Sequence, residues 1–135
     1  MEIEHCIFPE DRKYCTEPNV WSKIQNSKTV DLGITSVMGH LTGKLNSVKF
    51  KSTGMSFERG RSVATIEGSR SVQAIRTPFT CKLLEVNNEI LSSPKMVNNY
   101  PYEKGWLVKV EPHNLENDLR YLEHVEEAAE KFLKQ

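Results

Sequence analysis

The feature that most constrains the fold is a short polar tetrapeptide between two segments of alternating apolar and polar residues. Gly68-Ser69-Arg70-Ser71 separates residues 62–67, which read Ser-Val-Ala-Thr-Ile-Glu, from residues 72–76, which read Val-Gln-Ala-Ile-Arg. Alternation with β-branched residues is typical of half-buried strands, and small polar residues suit a tight turn between them. The sequence therefore predicts a β-hairpin with an exposed tip at residues 68–71.

The same kind of pattern recurs along much of the chain. It predicts further strands at residues 28–35, 45–50, 81–86 and 106–110, with turns at 52–54 and 58–60. Residues 36–43 instead carry Val37, Met38 and Leu41 at helical spacing, which predicts one or two helical turns. We therefore expect a mainly β fold with short helices.

The C-terminal segment has a helical repeat, and we expect an amphipathic helix of about five turns over residues 114–134. Asn114 can cap this helix, and the spacing favours the ion pairs Glu127–Lys131 and Glu130–Lys134. We expect the apolar stripe to pack on its own domain. The stripe consists of Leu115, Leu119, Leu122, Val125, Ala129, Phe132 and Leu133.

Length and charge narrow the class of protein. The 135 residues are expected to form one domain over residues 1–135. The formal net charge is +0, so no overall field attracts nucleic acid or an anionic membrane, and we predict neither as a partner. No apolar run reaches membrane-spanning length, and the start, Met1-Glu2-Ile3-Glu4, is acidic, unlike a signal peptide. We expect a cytoplasmic protein.

The sequence offers no motif for a metal site or for catalysis. It has no Gly-rich phosphate loop and no nucleophile elbow, so we do not expect an enzyme. A Cys6–Cys15 disulfide would need an oxidising compartment or a thermophilic source, and we expect free thiols. The cysteines and histidines that lack metal-ligand spacing are Cys6, Cys15, Cys81, His5, His40, His113 and His124.

The hairpin and the segments around it resemble the glycine cleavage system H protein family. That family reads Glu-Ser-Val-Lys at its hairpin, then Ser-Pro-Val-Ser-Gly and Glu-Val-Val-Glu-Val-Asn. Here residues 67–70 read Glu-Gly-Ser-Arg, 77–81 read Thr-Pro-Phe-Thr-Cys and 82–87 read Lys-Leu-Leu-Glu-Val-Asn. Further segments of the family are matched by residues 14–21, 32–35, 41–45, 89–98 and 102–109, so the resemblance runs from about Tyr14 to Val110.

This resemblance implies a barrel-sandwich hybrid, the flattened antiparallel β-sandwich of lipoyl domains, with a core over about residues 14–110. In the family, a lysine at the hairpin tip carries lipoate to glycine decarboxylase, an aminomethyltransferase and dihydrolipoyl dehydrogenase. Counting back eight residues from Pro78, as in the family, places Arg70 at the lysine position. The residues implied for recognition of the tip are Glu67, Gly68, Ser69 and Ser71.

Arginine at this position changes the chemistry. Lipoylation needs a neutral amine, whereas a guanidinium stays protonated at physiological pH and is a poor nucleophile. Lipoate is the cofactor of the family, but none is predicted for this sequence as it stands. Our first hypothesis is therefore a non-catalytic, non-lipoylated module that binds or regulates enzymes of a lipoate-dependent pathway, including those that attach lipoate.

Two alternatives keep a carrier function. In one, the chain shuttles an aminomethyl or sulfur-containing intermediate, with Arg70 an introduced substitution for lysine or the arm on another lysine. The lysines considered, Lys44, Lys49, Lys51 and Lys82, are not at the predicted tip, which disfavours relocation. In the other, the thiol of Cys81, which stands where the family has glycine, carries the group. A buried, inert thiol is the simpler interpretation of Cys81.

Overall fold

Two antiparallel β-sheets dominate the structure, a computed structural model that describes residues 1–3 and 6–134 and the side chains of residues 1, 2 and 6–131. Within these residues the larger sheet contains six strands. In spatial order they are Lys13–Cys15 (β3), Val20–Asn26 (β4), Thr29–Ile34 (β5), Val108–Pro112 (β11), Cys81–Val86 (β10) and Ser56–Phe57 (β7).

The smaller sheet contains the predicted hairpin. Its strands in the described chain are Leu45–Phe50 (β6), Ser62–Gly68 (β8) and Val72–Arg76 (β9), in that order. A separate pair near the start joins Glu2–Ile3 (β1) to Cys6–Ile7 (β2). The strands predicted at 28–35, 45–50, 62–67, 72–76 and 81–86 are confirmed, with ends that shift by at most one residue.

The last strand begins later than residues 106–110 predicted. The N–H of Trp106 donates to the carbonyl of Glu103 at 3.1 Å, which places Trp106 in a turn, and regular pairing starts at Val108. Leu107 is buried and Trp106 partly buried beside the sheet, which accounts for their apolar character without strand pairing.

The two sheets share one hydrophobic core. Leu32 and Val110 of the larger sheet and Ile66 and Ile75 of the smaller sheet lie in the same cluster and are fully buried. Alternate residues of a strand point to opposite faces, so each sheet turns one apolar face inward. This arrangement is the flattened sandwich that the resemblance to the H protein family implied.

Short helices connect and flank the sheets. Ser36–Thr42 (α1) confirms the predicted helical turns and follows β5 directly, with the side chain of Thr35 accepting a hydrogen bond from the N–H of Met38. Glu89–Ser92 (α2) and Lys95–Asn99 (α3) follow β10. The sequence analysis did not predict α2 or α3.

The prediction of one continuous C-terminal helix over residues 114–134 is wrong. Leu115–Asp118 (α4) runs into a 3₁₀ turn at Leu119–Tyr121, and a separate helix covers Val125–Lys134 (α5). The chain is extended between them because the backbones of Tyr14 and Glu123 form a β-bridge. This bridge uses the N–H and C=O of Glu123 that a continuous helix would need.

The side-chain contacts of the C-terminal segment reflect its division into α4 and α5. Asn114 caps α4 as predicted, accepting a hydrogen bond from the N–H of Asn117 at 3.3 Å. Lys131 pairs with Glu123 at 2.6 Å, so the expected Glu127–Lys131 pair is not the contact that forms. Val125 and Ala129 are buried, Leu115 and Leu122 pack partly against the core, and Leu119 is exposed, so only part of the stripe packs on its own domain. The side chains of Phe132, Leu133 and Lys134 lie outside the described ones.

Gly33 provides a sharp test of this packing. It pairs with Trp21 across β4 and β5, and a Cβ on Gly33 would lie 2.4 Å from the buried indole ring. We expect Gly33→Ala to lower the free energy of unfolding by about 1–3 kcal/mol because the ring must shift. Gly39→Ala is the control, since its Cβ meets nothing within 4 Å in helix α1, and it should stabilise by about 0.5–1 kcal/mol. Equal effects in denaturant titrations would contradict the packing described.

Candidate functional site

The tip of the β8–β9 hairpin lies where the sequence predicted it. The N–H of Gly68 donates to the carbonyl of Ser71 at 3.0 Å, which closes the turn. Ser69 and Arg70 between them are exposed, and so is Glu67 at the end of β8. The fold thus brings the five predicted tip residues together at one turn.

The tip is docked on the C-terminal end of helix α1. The backbone N–H of Arg70 donates to the carbonyl of Thr42 at 2.9 Å, and its guanidinium Nη1 donates to the carbonyl of His40 at 2.7 Å. The hydroxyl of Ser71 donates to the carbonyl of Leu41 at 2.8 Å. A helix leaves its last carbonyls without internal partners, and here the hairpin tip supplies three of the missing donors.

Charge favours this arrangement as well. The C-terminal end of a helix carries partial negative charge from its unpaired carbonyls, so a cation placed there is stabilised. Arg70 brings its guanidinium to that end, and it donates to the carbonyl of His40, two residues before the last residue of the helix. The side chain of Arg70 therefore acts as part of the helix cap.

Close approach of the tip to the helix depends on Gly68. A Cβ on Gly68 would lie 2.2 Å from the carbonyl oxygen of Thr42, closer than any side chain can sit. Asn98 fixes the next part of the chain, because its amide donates to the carbonyl of Gly43 at 2.9 Å and accepts from the N–H of Leu45 at 2.7 Å. Sequence reasoning did not single out Asn98, although it lies in a segment that resembles the family.

Lys44 lies beside the tip, although it is distant from the tip residues in the sequence and was not expected there. Its carbonyl accepts the N–H of Ser69 at 3.0 Å, and its own N–H donates to Oγ of Ser69 at 3.2 Å. A hydrogen bond with the Lys95 side chain, together with the charge of that side chain, holds the pKa of the Lys44 amine below its ordinary value. Lys82, by comparison, lies on β10 opposite Ser56 and Glu111 in the larger sheet.

Comparison with known proteins places this geometry in a family. The family model described as glycine cleavage H-protein matches residues 12–135. The chain belongs to the glycine cleavage H-protein family. It is 32% identical over 131 residues to glycine cleavage system H protein 2 of Aquifex aeolicus, which covers 97% of this chain and 81% of that protein.

Further relatives agree with this assignment. Glycine cleavage system H protein 5 of Aquifex aeolicus is 35% identical over 133 residues, covering 96% of this chain and 89% of that protein. A crystal structure of a glycine cleavage system H protein from Mycobacterium marinum matches with a TM-score of 0.81 at 28% identity. That match covers 92% of this chain and 98% of the other. The family and the fold predicted from the hairpin motifs are confirmed.

Cys81 is a poor replacement for an arm. It lies on β10 with 3% of its surface exposed, and its Sγ is 3.4 Å from Oγ1 of Thr77. Burial raises the pKa of the Cys81 thiol to about 11. The backbone of Cys81 does not have the left-handed conformation that would require glycine. In the described chain the non-glycine residue with positive φ is Asn19, not Cys81. The structure agrees with a buried, inert thiol.

Neither a metal site nor a membrane-spanning helix is found among the residues that the structure describes. Among residues 1–3 and 6–134 no group of three or more His, Cys, Asp and Glu side chains is placed to hold a metal ion. No helix in the same part of the chain is long and apolar enough to cross a membrane. His5 lies outside the described residues.

Replacing Arg70 tests its role in the helix cap. We expect Arg70→Met to lower the free energy of unfolding by about 0.5–1 kcal/mol because the hydrogen bond to His40 and the favourable charge are lost. Arg61→Met is the matched control, because Arg61 is an exposed arginine next to the same hairpin whose described hydrogen bonds are made by its backbone. Denaturant titration of both variants measures the difference. Equal losses would show that the guanidinium of Arg70 contributes nothing specific.

Thiol labelling tests the assignment of Cys81. With a pKa of about 11, roughly one Cys81 thiol in a thousand is ionised at pH 8, and the burial restricts access further. We expect Cys81 in the folded protein to stay unlabelled by iodoacetamide while a cysteine introduced by Ser52→Cys, at an exposed position, reacts. Peptide mass spectrometry measures both. Labelling of Cys81 at the rate of the exposed control would contradict a buried, inert thiol.

Proposed function

We propose that this chain is a glycine cleavage H-like protein that carries no lipoyl arm at its hairpin tip. It is non-catalytic and acts as a binding or regulatory module for enzymes of a lipoate-dependent pathway. The observation that supports this is the position of Arg70, whose backbone and guanidinium are both held at the end of α1. The side chain at the predicted attachment position is part of the scaffold.

The chemistry of the side chain supports the same conclusion. Attachment of lipoate needs a nucleophilic amine, and the charge of a guanidinium is delocalised over three nitrogens that remain protonated. A guanidinium has five N–H donors, and one hydrogen bond of the Arg70 side chain, to the His40 carbonyl, is seen here. Its other donors can pair with a carboxylate or phosphate of a partner through the planar fork.

The proposed partners are the enzymes that a family member would visit. They are glycine decarboxylase, an aminomethyltransferase, dihydrolipoyl dehydrogenase and the enzymes that attach lipoate. Glu67 and Ser69 are exposed beside Arg70, and such a partner would contact all three residues. We propose that residues 1–135 act as one domain and that the protein works in the cytoplasm.

One observation favours a second candidate function, a lipoyl carrier with a relocated arm. Lys44 is hydrogen-bonded through its backbone to Ser69 at the tip, and its amine is exposed. The lowered pKa of the Lys44 amine increases the share of the neutral form that attacks an activated acyl group. An arm attached there would leave from the same end of the hairpin as an arm at position 70.

Lipoylation of variants tests the proposal. We expect Arg70→Lys to become a substrate for a lipoate ligase, because the tip and Glu67 are in place, while the unaltered chain stays unmodified. Arg61→Lys is the control for a new exposed lysine outside the tip. Intact mass and peptide fragmentation after incubation with ligase, lipoate and ATP report the outcome.

Two results would contradict parts of the proposal. If Arg70→Lys stays unmodified beside a lipoylated H protein under the same conditions, position 70 is not an attachment site, and arginine there is not the reason that the chain carries no arm. If the unaltered chain is modified at Lys44, and Lys44→Arg abolishes the modification, the relocated-arm candidate replaces the first.

A further inference from the structure

A second feature of the tip is a cleft whose lining does not include Arg70. Its volume is about 500 Å³, and it lies between the start of β6 and the segment that joins α2 to α3. Lys44 borders it on one side and Lys95 on the other, with Ser69 of the tip between the two elements. The residues that line it are Lys44, Leu45, Asn46, Ser69, Ser92, Ser93, Pro94 and Lys95.

The two lysines border the same cleft. Both residues are exposed, so two like charges face one volume. No acidic side chain is among the lining residues in the part of the chain that the structure describes. Two ammonium groups at one cleft repel each other, and an anion bound between them relieves that repulsion.

Hydroxyl groups complete the set of donors. Oγ of Ser69 accepts the N–H of Lys44, so its own proton can point into the cleft. Ser93 adds another hydroxyl at the same wall, whereas Ser92 donates to the carbonyl of Glu89 at 3.1 Å. Two lysines and at least two serines with available hydroxyls therefore line one cleft.

We propose that this cleft binds the phosphate group of a small molecule. A phosphate carries close to two negative charges at neutral pH, which matches the charge of two ammonium groups. Its several acceptor oxygens can also accept hydrogen bonds from the serine hydroxyls that line the cleft. A single carboxylate carries one charge and would leave one ammonium uncompensated. The site does not use the guanidinium of Arg70, so it goes beyond the function proposed above and is tested independently of it.

Nuclear magnetic resonance titration of the full chain tests the site. The probes are inorganic phosphate, glycerol phosphate and acetate, added at constant ionic strength. We expect saturable shifts of the backbone amides of Lys44, Ser69 and Lys95 with both phosphates, and about tenfold weaker binding of acetate. Tighter binding of glycerol phosphate than of inorganic phosphate would identify an organic ester as the natural ligand, and the reverse order would identify the free ion.

Variants show whether the two lysines carry the binding. Lys44→Gln and Lys95→Gln should each weaken phosphate binding by about tenfold, while Lys49→Gln, the matched control on β6 outside the cleft, should leave it unchanged. Lys44→Arg keeps the charge and should retain binding, which separates loss of charge from a disturbed fold. Bound phosphate should also raise the pKa of the Lys44 amine, because an anion favours its charged form.

Several outcomes would overturn the inference. Shifts that never saturate, equal binding of acetate and phosphate, or equal loss in Lys49→Gln would show general attraction to surface charge. Tighter binding of a tri-glutamate peptide than of either phosphate would assign the cleft to an acidic protein segment. Unchanged phosphate binding in Lys44→Gln and Lys95→Gln would remove the lysines from the site.

Discussion

The docking of the hairpin tip on the C-terminal end of α1 organises this side of the molecule. α1 stands between β5 of the larger sheet and β6 of the smaller sheet, so its end is the point where the chain passes from one sheet to the other. The last carbonyls of α1 need hydrogen-bond donors, and the turn between β8 and β9 of the smaller sheet provides them. One contact thus caps the helix, shapes the hairpin and fixes the two elements against each other.

This contact supports the proposal that position 70 carries no lipoyl arm. A swinging arm works by being long and mobile on a rigid base, which raises its effective concentration at each partner. Arg70 is instead fixed at both its backbone and its guanidinium. Its positive charge joins those of Lys44 and Lys95 around the tip of a chain whose net charge is +0, so the basic character is local. Such a surface is suited to meeting an anionic group.

Local sequence patterns predicted the elements but not the contacts between them. Alternation placed the β8–β9 hairpin correctly because a strand pattern and a polar turn are local signals. The break before α5 could not be predicted in this way, since it depends on pairing between Tyr14 and Glu123 from opposite ends of the chain. Leu122 continues the helical stripe in sequence, and tertiary pairing overrides that preference.

At the candidate site, too, the sequence predicted the local features but not the contacts between distant segments. The resemblance to the family located Arg70, and the composition of the tip predicted an exposed turn. The acceptor of the Arg70 guanidinium, 30 positions earlier in the chain, carries no sequence signal because it is a backbone carbonyl. The proximity of Lys44 to Ser69 and of Lys44 to Lys95 likewise arises only when three separate segments meet.

The most direct test of the central claim is the intact mass of the protein purified from its natural source, with the hairpin peptide sequenced by fragmentation. An unmodified mass, with arginine read at position 70, is the result that this account predicts. A lipoyl adduct would contradict it. An adduct on a lysine at position 70 would show that arginine is not the natural residue, and an adduct on Lys44 would show a relocated arm.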